Sequence, residues 1–568
     1  MTSTDTPGTA APAVLVAGRP VRPAAVLVVF LLGLFMTLLD LTIVNVAIPS
    51  LAAGLGSSLD QVLWVLSAYS IAYAVLLITA GRLGDIVGPR TMFVAGMIVF
   101  TAASAGSGAA RTVGWLIAFR ALQGLGAALL APQGLPLFTS VLPPERRGGA
   151  FAAMGAMSGL AVLAGPTLGG LITTHWGWRW IFYVNLPLGV LTVVLALVLL
   201  PDLRPGRRHR LDASGVVLLT AGLAAVVFGL VEGERYDWGV VGHGVTIWEI
   251  VAAGVVVLAG FGWWQARSQQ GEPLLPFEVF RDRNFGLMTL VLGGMGFAMV
   301  GLYLPLTIYL QSVLGLSAVA AGVAVAPQPL AMIVSSAVAG ALSERVSGKL
   351  LLVPGLLVFV AGTAWVVAVA GPGTSRWALA PGLVVSGLGL GCVWVPIFGL
   401  ATRDLQPRLA GVGAGVLDTV QEIGSVVATA VVGAVLQARL AAALVEEATV
   451  RGAGLPAGVR DGFVEGFRAA GASGLGVAAG TPAGVGTPDV PADLAARLAA
   501  LGQEVFRHAF VTAMRPTILV PLAVLVVAAG VAGAARSRPA GPAGSPGPAG
   551  SASAEGAAEG AATARVAG

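Results

Sequence analysis

The sequence predicts an all-α polytopic membrane protein, and three observations carry that prediction. Of 568 residues, 56% are hydrophobic and only 10% charged, whereas a soluble globular chain carries about a quarter charged residues. The mean hydropathy is +0.88. Apolar runs long enough to cross a bilayer recur along nearly the whole chain, without the ten-residue alternation of a transmembrane β-barrel.

A window of about 20 residues places fourteen spans. They centre near Gly33, Ala72, Ile98, Leu125, Leu160, Leu191, Leu223, Val255, Gly296, Ile333, Val358, Leu388, Val427 and Val524. Residues 1–22 lack the ordered charged, apolar and cleavable regions of a signal peptide and read as a disordered cytoplasmic tail. Six spans follow in 23–201, two in 202–268, and six in 269–535. The last group includes a long outer connection at about 441–508, in which PADLAARLAALGQEVFRHAF reads as a short amphipathic helix on the membrane surface. A lid over an outer vestibule is the alternative. Residues 536–568, rich in Pro, Gly, Ala and Ser, read as a second disordered tail.

Arginine placement orients the spans. Alternate loops carry Arg82 and Arg90, Arg146 and Arg147, the RPGRRHR run from Arg204 to Arg210, Arg267 with Arg281 and Arg283, Arg345 with Lys349, and Arg403 with Arg408. The opposite short loops hold only Arg111, Arg179, Arg235 and Arg376. The positive-inside rule therefore puts both termini in the cytoplasm, with the chain in the cytoplasmic membrane.

Several functions find no support. The one cysteine, Cys392, excludes an internal disulfide. No GxxxxGK[ST] loop or strand–GxGxxG–helix unit marks a nucleotide site. His175, His209, His243 and His508 lie in loops or near span ends without metal-ligand spacing, so no metal, cofactor or nucleic-acid partner is expected. Glu232, at the outer end of the seventh span and followed by GERYDWG, reads as interfacial.

The polar residues inside the spans carry the functional reading. Span 1 contains LLDLTIVNVAIP with Asp40, Thr42 and Asn45. An aspartate within a span costs about 2.5–3.5 kcal/mol on insertion scales, so Asp40 faces the bundle interior or a wet cavity. GRLGDIVGPR (Gly81, Asp85, Gly88, Arg90) follows span 2. Span 4 holds FRALQGLGAA with Arg120 and Gln123, span 5 holds AGPTLGG (Gly165, Pro166, Gly169, Gly170), and span 6 opens with WGWRWIFYVNLPLG. Pro166 removes a helix donor and its glycine neighbours admit a close backbone, which reads as a hinge and packing surface. WRWIF reads as an interfacial aromatic anchor. GALSERVSGK, with Glu344 and Arg345, echoes GRLGDIVGPR after span 10 and indicates two related halves.

In this order, these strings resemble the major facilitator superfamily, in its fourteen-helix drug:proton antiporter branch of EmrB/QacA type. The resemblance implies two six-helix bundles around a central cavity, with spans 7 and 8 inserted between them and transport by rocking of the bundles. It departs in GRLGDIVGPR, where Ile86 and Pro89 stand at positions usually basic, leaving Arg90 as the cation of that network. Because spans 1 and 4 line the cavity in this superfamily, Asp40 is the expected partner of Arg120, whose guanidinium does not deprotonate. Asp40 is then the expected proton carrier.

In span 13, GVLDTVQEIGSVVATAVVG sets Asp418, Gln421, Glu422 and Ser425 along one helical stripe. The resembling exporters lead one to expect a neutral or basic pattern there. Two carboxylates a turn apart suit a second proton, a cationic substrate, or both, unless they sit near water at a helix end. Trp64, Tyr69, Tyr73, Phe297, Met299 and Tyr303 supply an adaptable apolar lining for an amphipathic substrate, with Asn45, Gln123 and Gln421 as polar residues of the same cavity.

The expectation is a non-enzymatic, proton-coupled exporter of amphipathic, in part cationic, drugs. It is powered by the proton gradient and embedded in lipid. It is monomeric unless a host with an outer membrane adds a periplasmic adaptor. A dedicated metabolite, peptide or siderophore exporter is the nearest alternative. A non-transporting sensor is the alternative of another class, and the absence of a sizeable cytoplasmic signalling domain argues against it.

Overall fold

The computed structural model describes residues 14–16, 19–57, 59–142, 147–202, 211–236, 238–242, 244–343, 345–403, 405–472 and 492–536. Helix α1 (Pro23–Leu55) starts on a proline, whose missing N–H is no loss in a first turn, and stops at Gly56 in the left-handed conformation. Only Gly88 separates α2 (Leu59–Val87) from α3 (Pro89–Ala109). Its φ of 105° suits glycine and lets the chain reverse abruptly between spans. The fourth span is α4 (Val113–Leu130), a 3-10 turn and α5 (Gly134–Val141). The fifth is α6 (Arg147–Trp176), and the sixth joins α7 (Trp180–Tyr183) to α8 (Asn185–Leu199).

The inserted pair is α9 (Ala213–Glu232) and α10 (Ile247–Ser268), the latter opened by a Thr246–Glu249 capping box. The second bundle comprises α11 (Arg283–Ile308), α12 (Ala318–Val325) with α13 (Pro327–Ser343), α14 (Gly348–Val369), α15 (Ala380–Thr402), α16 (Ala410–Arg451), α17 (Ala457–Ala472) and α18 (Ala492–Gly533). Among the described residues, fourteen helical stretches are long and apolar enough to cross a membrane. Every sequence-derived centre falls inside one of them.

Each bundle has its own core. In the first, Phe30 packs against Phe93 and Phe138, and Phe138 against Phe151. In the second, Phe285, Met288, Leu356, Phe359, Leu390 and Leu417 share one buried cluster. The bundles meet along two seams, α2 against α16 and α6 against α12, α13 and α15. On one side of the molecule, called here the terminal face, lie the start of α1, the α2–α3 turn, the end of α5 and the start of α16. There Phe151 of α6 stacks on Phe398 of α15, with ring centroids 5.4 Å apart. Ala410 and Ala414 of α16 join the first bundle's core.

The inserted pair covers the α2–α16 seam. Val227 of α9 is buried with Ala74 of α2 and Val426 of α16. Asp212 caps α9 by accepting from the Gly215 N–H (2.9 Å), and it also accepts from Gln265 (2.7 Å) and Trp264 (3.1 Å) of α10. Gln265 and Gln269 bind the backbone at Leu275 and Phe277, so the connector to the second bundle is strapped to α10.

Some expectations need correction. The connection at 441–508 is mostly helix. α16 and α18 each run for 42 residues, about 63 Å at 1.5 Å per residue, twice what the membrane requires. With α17 they bury Leu444, Phe463, Phe467, Leu498, Phe506 and Phe510 in a shared core. The amphipathic stripe of ADLAARLAALGQEVFRHAF therefore faces protein, where the expectation was a membrane surface. Residues 473–491 lie outside the described set. In the expected N-terminal tail, Val14–Val16 pairs antiparallel with Arg19–Val21. Residues 537–568, the RPGRRHR run, Arg146, His209, His243 and Glu344 fall outside the described residues. Pro166 lies within an uninterrupted α6. Glu232 is only 3% exposed and pairs with Arg235 at 3.2 Å, because Arg235 folds back towards Trp64 of α2.

Candidate functional site

Asp40 and Arg120 form an ion pair with both side chains fully buried. α1 and α4 are apolar over most of their surface, so these two charges have no polar solvent except each other and a few neighbouring groups. Gln123, one turn after Arg120, donates to Asp40 Oδ1 at 2.8 Å and accepts from Arg120 at 2.9 Å. Arg120 Nε donates to the Val65 carbonyl of α2 at 3.2 Å, and the guanidinium lies 4.3 Å over the Tyr69 ring. From α8, Asn185 Nδ2 donates to Asp40 Oδ1 and to Ser104 Oγ of α3, each at 3.1 Å. Ser104 in turn donates to the Phe182 carbonyl at 2.9 Å. Five helices of the first bundle thus converge on one carboxylate.

Gln123, expected to line a substrate cavity, belongs to this closed network. Three of its neighbours keep unused polar atoms: Arg120 Nη2, Asn185 Oδ1 and the Tyr69 hydroxyl are buried without hydrogen-bond partners among the described residues. Asn185 and Ser104 were missed by sequence reasoning. The available signal was a polar side chain in an apolar span. Asn185 lay in view within WRWIFYVNLPLG, a string read for its aromatics.

The second cluster lies across the α2–α16 seam. Tyr69 and Tyr73 stack with centroids 6.2 Å apart. Tyr73 is within electrostatic reach of Asp418 and Glu422, and Tyr69 within reach of Asp40, Arg120 and Glu422. The tyrosine pair therefore stands between the buried ion pair of one bundle and the two carboxylates of the other. Asp418 and Glu422 are half-buried in the first third of α16, eight and twelve residues after its start at Ala410. The backbone carbonyl of Gln421 is pressed against Gly296 of α11, and the residue is half-buried. Phe297 is half-buried at the same α11–α16 contact. Tyr303 bonds Gln328 inside the second bundle, beside a cavity of only ≈ 30 Å³, the room of about one water. Asn45 is exposed and bonds the Leu41 carbonyl of its own helix at 2.9 Å, apart from both clusters.

The conformational motifs gather at the terminal face. Asp85 accepts hydrogen bonds from the backbone N–H groups of Gly411 and Val412, both at 3.0 Å. A carboxylate thus caps the unsatisfied donors at the start of α16 and ties the bundles together. Gly81 makes this approach feasible, since a Cβ there would sit 2.3 Å from the Gly411 carbonyl oxygen. Arg90 does not serve Asp85; it donates to the Leu197 carbonyl of α8. The cation near Asp85 is Arg82, 8% exposed. Gly165 and Gly169 of α6 contact Thr42 and Ile43 of α1, while Pro166 and Gly170 contact Gly322 and Val319 of α12. Arg345 follows α13 as an exposed turn residue. Outside the seam, a cavity of ≈ 1060 Å³ opens on the terminal face, lined by Arg82, Asp85, Thr139, Gln269, Glu278 and Arg408. Arg408 and Glu278 pair at 2.8 Å across it.

The chain thus holds two bundles, an inserted pair and a buried charge network within the first bundle. The sequence profile described as Major Facilitator Superfamily matches residues 30–429. The chain belongs to that superfamily. It is 37% identical over 456 residues to the puromycin resistance protein pur8 of Streptomyces alboniger, covering 79% of this chain and 88% of that one. It is 35% identical over 423 residues to the tetracenomycin C resistance and export protein of Streptomyces glaucescens, covering 74% and 77%. Among solved structures, the human organic anion transporter MFSD10 matches with a TM-score of 0.52 at 15% identity, over 89% of this chain and 99% of that one. That likeness concerns the fold alone. In this membrane superfamily the chain is a transporter, related to antibiotic exporters and resistance proteins.

Proposed function

We propose that this chain exports amphipathic antibiotics, cations among them, across the cytoplasmic membrane in exchange for protons, with both termini cytoplasmic. The observation that carries the reading is the pairing of two carboxylate sites across the α2–α16 seam through Tyr69 and Tyr73. Asp40 takes up and releases the coupling proton. Arg120 and Gln123 hold the carboxylate while the seam is closed, and rocking of the bundles changes that company. Asp418 and Glu422 attract the substrate cation or a second proton, and Tyr69 and Tyr73 offer π faces to a cationic or aromatic cargo.

With the Asp85 contact closed, the terminal-face cavity is where cargo loads once the seam parts. Rocking of the bundles carries access to the opposite face. No cofactor is required beyond the proton gradient, and the protein acts as a monomer in lipid. The relatives that resist or export puromycin and tetracenomycin support an antibiotic cargo. The test is uptake into everted vesicles under an imposed pH gradient. Asp40→Asn abolishes gradient-driven uptake and leaves substrate binding measurable. Retained proton-driven uptake in that variant overturns the coupling role.

A further inference from the structure

The cavity of ≈ 1060 Å³ on the terminal face has walls from both bundles: the ends of α2 and α5, the connector before α11 and the turn before α16. That is room for a small molecule, since ligand sites run to about 300–1,000 Å³. Most of its polar groups are already spent. Asp85 gives each of its oxygens to a backbone N–H of α16. Glu278 holds Arg408 through both oxygens, at 2.9 and 2.8 Å, and accepts from Gln406 at 3.2 Å. Gln269 donates to the Gln265 and Leu275 carbonyls and accepts from the Phe277 N–H. The Thr139 and Ser140 hydroxyls donate within their own helix, and Glu272 is occupied as well.

Two cations are left over. Arg82 is 8% exposed and Arg281 lies in the open, and neither has a hydrogen bond or ion pair among the described residues. Arg82 feels Asp85 only through space. A guanidinium buried this far keeps its charge. With five N–H donors and no acceptor, it calls for an anion that the lining does not supply.

We infer that this cavity binds a soluble, phosphate-bearing anion, with Arg82 as its anchor and Arg281 as its second contact. A guanidinium matches a phosphate with two parallel N–H bonds, and three terminal oxygens serve two arginines where a carboxylate has only two to share. The volume exceeds what a lone phosphate fills, so the ligand is a phosphorylated small molecule. It arrives from water, because the cavity opens among turns and helix ends on the terminal face and not on the sides that lipid covers. Both bundles wall the site, so it exists as such only while the seam is closed. An anion bound there favours that state. None of this depends on which residue carries the coupling proton.

The probe is inorganic pyrophosphate, titrated by calorimetry into the full chain in phosphatidylcholine nanodiscs at constant ionic strength. Wild-type protein should bind one pyrophosphate. Arg82→Gln should weaken binding at least about tenfold, the loss of one charge-assisted hydrogen bond, and Arg281→Gln should weaken it severalfold. Arg283→Gln removes an arginine that does not line the cavity and should leave the affinity as in wild type. Pyrophosphate should also slow the labelling of Ala414→Cys, in a Cys392→Ser background, by a water-soluble thiol reagent. Absence of binding, or equal affinity in wild type and Arg82→Gln, overturns the site. An equal loss in Arg283→Gln assigns the binding to general surface charge and overturns it too. Should Arg82→Gln not fold, the comparison of Arg281→Gln with Arg283→Gln decides. Labelling that pyrophosphate leaves unchanged removes the link to the closed seam. If nanodiscs containing phosphatidylglycerol retain that lipid through Arg82 and exclude pyrophosphate, the ligand is a lipid headgroup and the soluble anion is overturned.

Discussion

At the scale of the residue, a buried charge in a membrane chain is defined by the company it keeps. Asp40 and Arg120 were legible in the sequence because each is costly in a span and each satisfies the other. Their companions were not, because a serine or asparagine in a helix is cheap enough to occur without purpose. Asn185 and Ser104 become meaningful only when α3 and α8 bring them within 3.1 Å of each other. Asp418 and Glu422 present the converse case. They were visible as a stripe, but that they lie in reach of Tyr73 of α2 was not. Replacing them by Asp418→Asn and Glu422→Gln should weaken transport of cationic compounds at least about tenfold, the equivalent of one lost charge contact of roughly 1.4 kcal/mol. Neutral compounds should lose much less, and a transport panel that finds equal losses contradicts charge recognition at this pair.

At the scale of the element, hydropathy located all fourteen spans but not the ends of the two longest. α16 and α18 continue as helix beyond any membrane because Leu444, Phe463, Phe467, Leu498 and Phe506 bury one another there. An apolar stripe looks the same whether lipid or another helix covers it. Phe463→Ala with Phe467→Ala should release α17, and trypsin should then cut at Arg460 and Arg468 faster while the spans keep their melting behaviour. An unchanged digestion pattern would mean that α17 is held elsewhere.

The inserted pair offers a test of another kind, through Asp212. Burial alone would push its carboxyl up, but the Gly215 N–H, Gln265, Trp264 and the Leu274 backbone outweigh that and hold it below the ordinary aspartate range. A depressed folded-state pKa means the contribution is present above the unfolded value of about 3.9 and is lost as pH falls through the folded one. Asp212→Ala should therefore melt below wild type at pH 5–7, with an N-cap cost of about 1 kcal/mol. The gap should begin to narrow below about pH 4 and go on narrowing as pH falls through the depressed folded value. A gap constant across that range would assign the loss to packing.

At the scale of the whole molecule, the decisive feature is a seam closed at the terminal face. Asp85 binds the start of α16, Gly81 admits the Gly411 carbonyl, and Phe151 stacks on Phe398. Gly81→Ala should open that seam, since overpacking a tight contact costs about 1–3 kcal/mol and the obstructing atom is backbone. The check is labelling of Ala414→Cys in a Cys392→Ser background by a water-soluble thiol reagent. Position 414 is buried against the first bundle, so added Gly81→Ala should speed its labelling and slow export, whereas an unchanged rate would show that the seam tolerates the methyl.

By itself the sequence determined the number of spans, the asymmetry of arginines between alternate loops and the burial of Asp40 and Arg120. All of these follow from transfer of local segments or single charges between water and lipid, an energy that each residue carries with it. Only the tertiary structure decided that Gln123 serves the ion pair, that Arg82 stands nearer Asp85 than the expected Arg90, and that Tyr69 and Tyr73 join two carboxylate sites. Those are outcomes of distances between helices far apart in the chain, where a hydrogen bond made or missed within half an ångström settles the role.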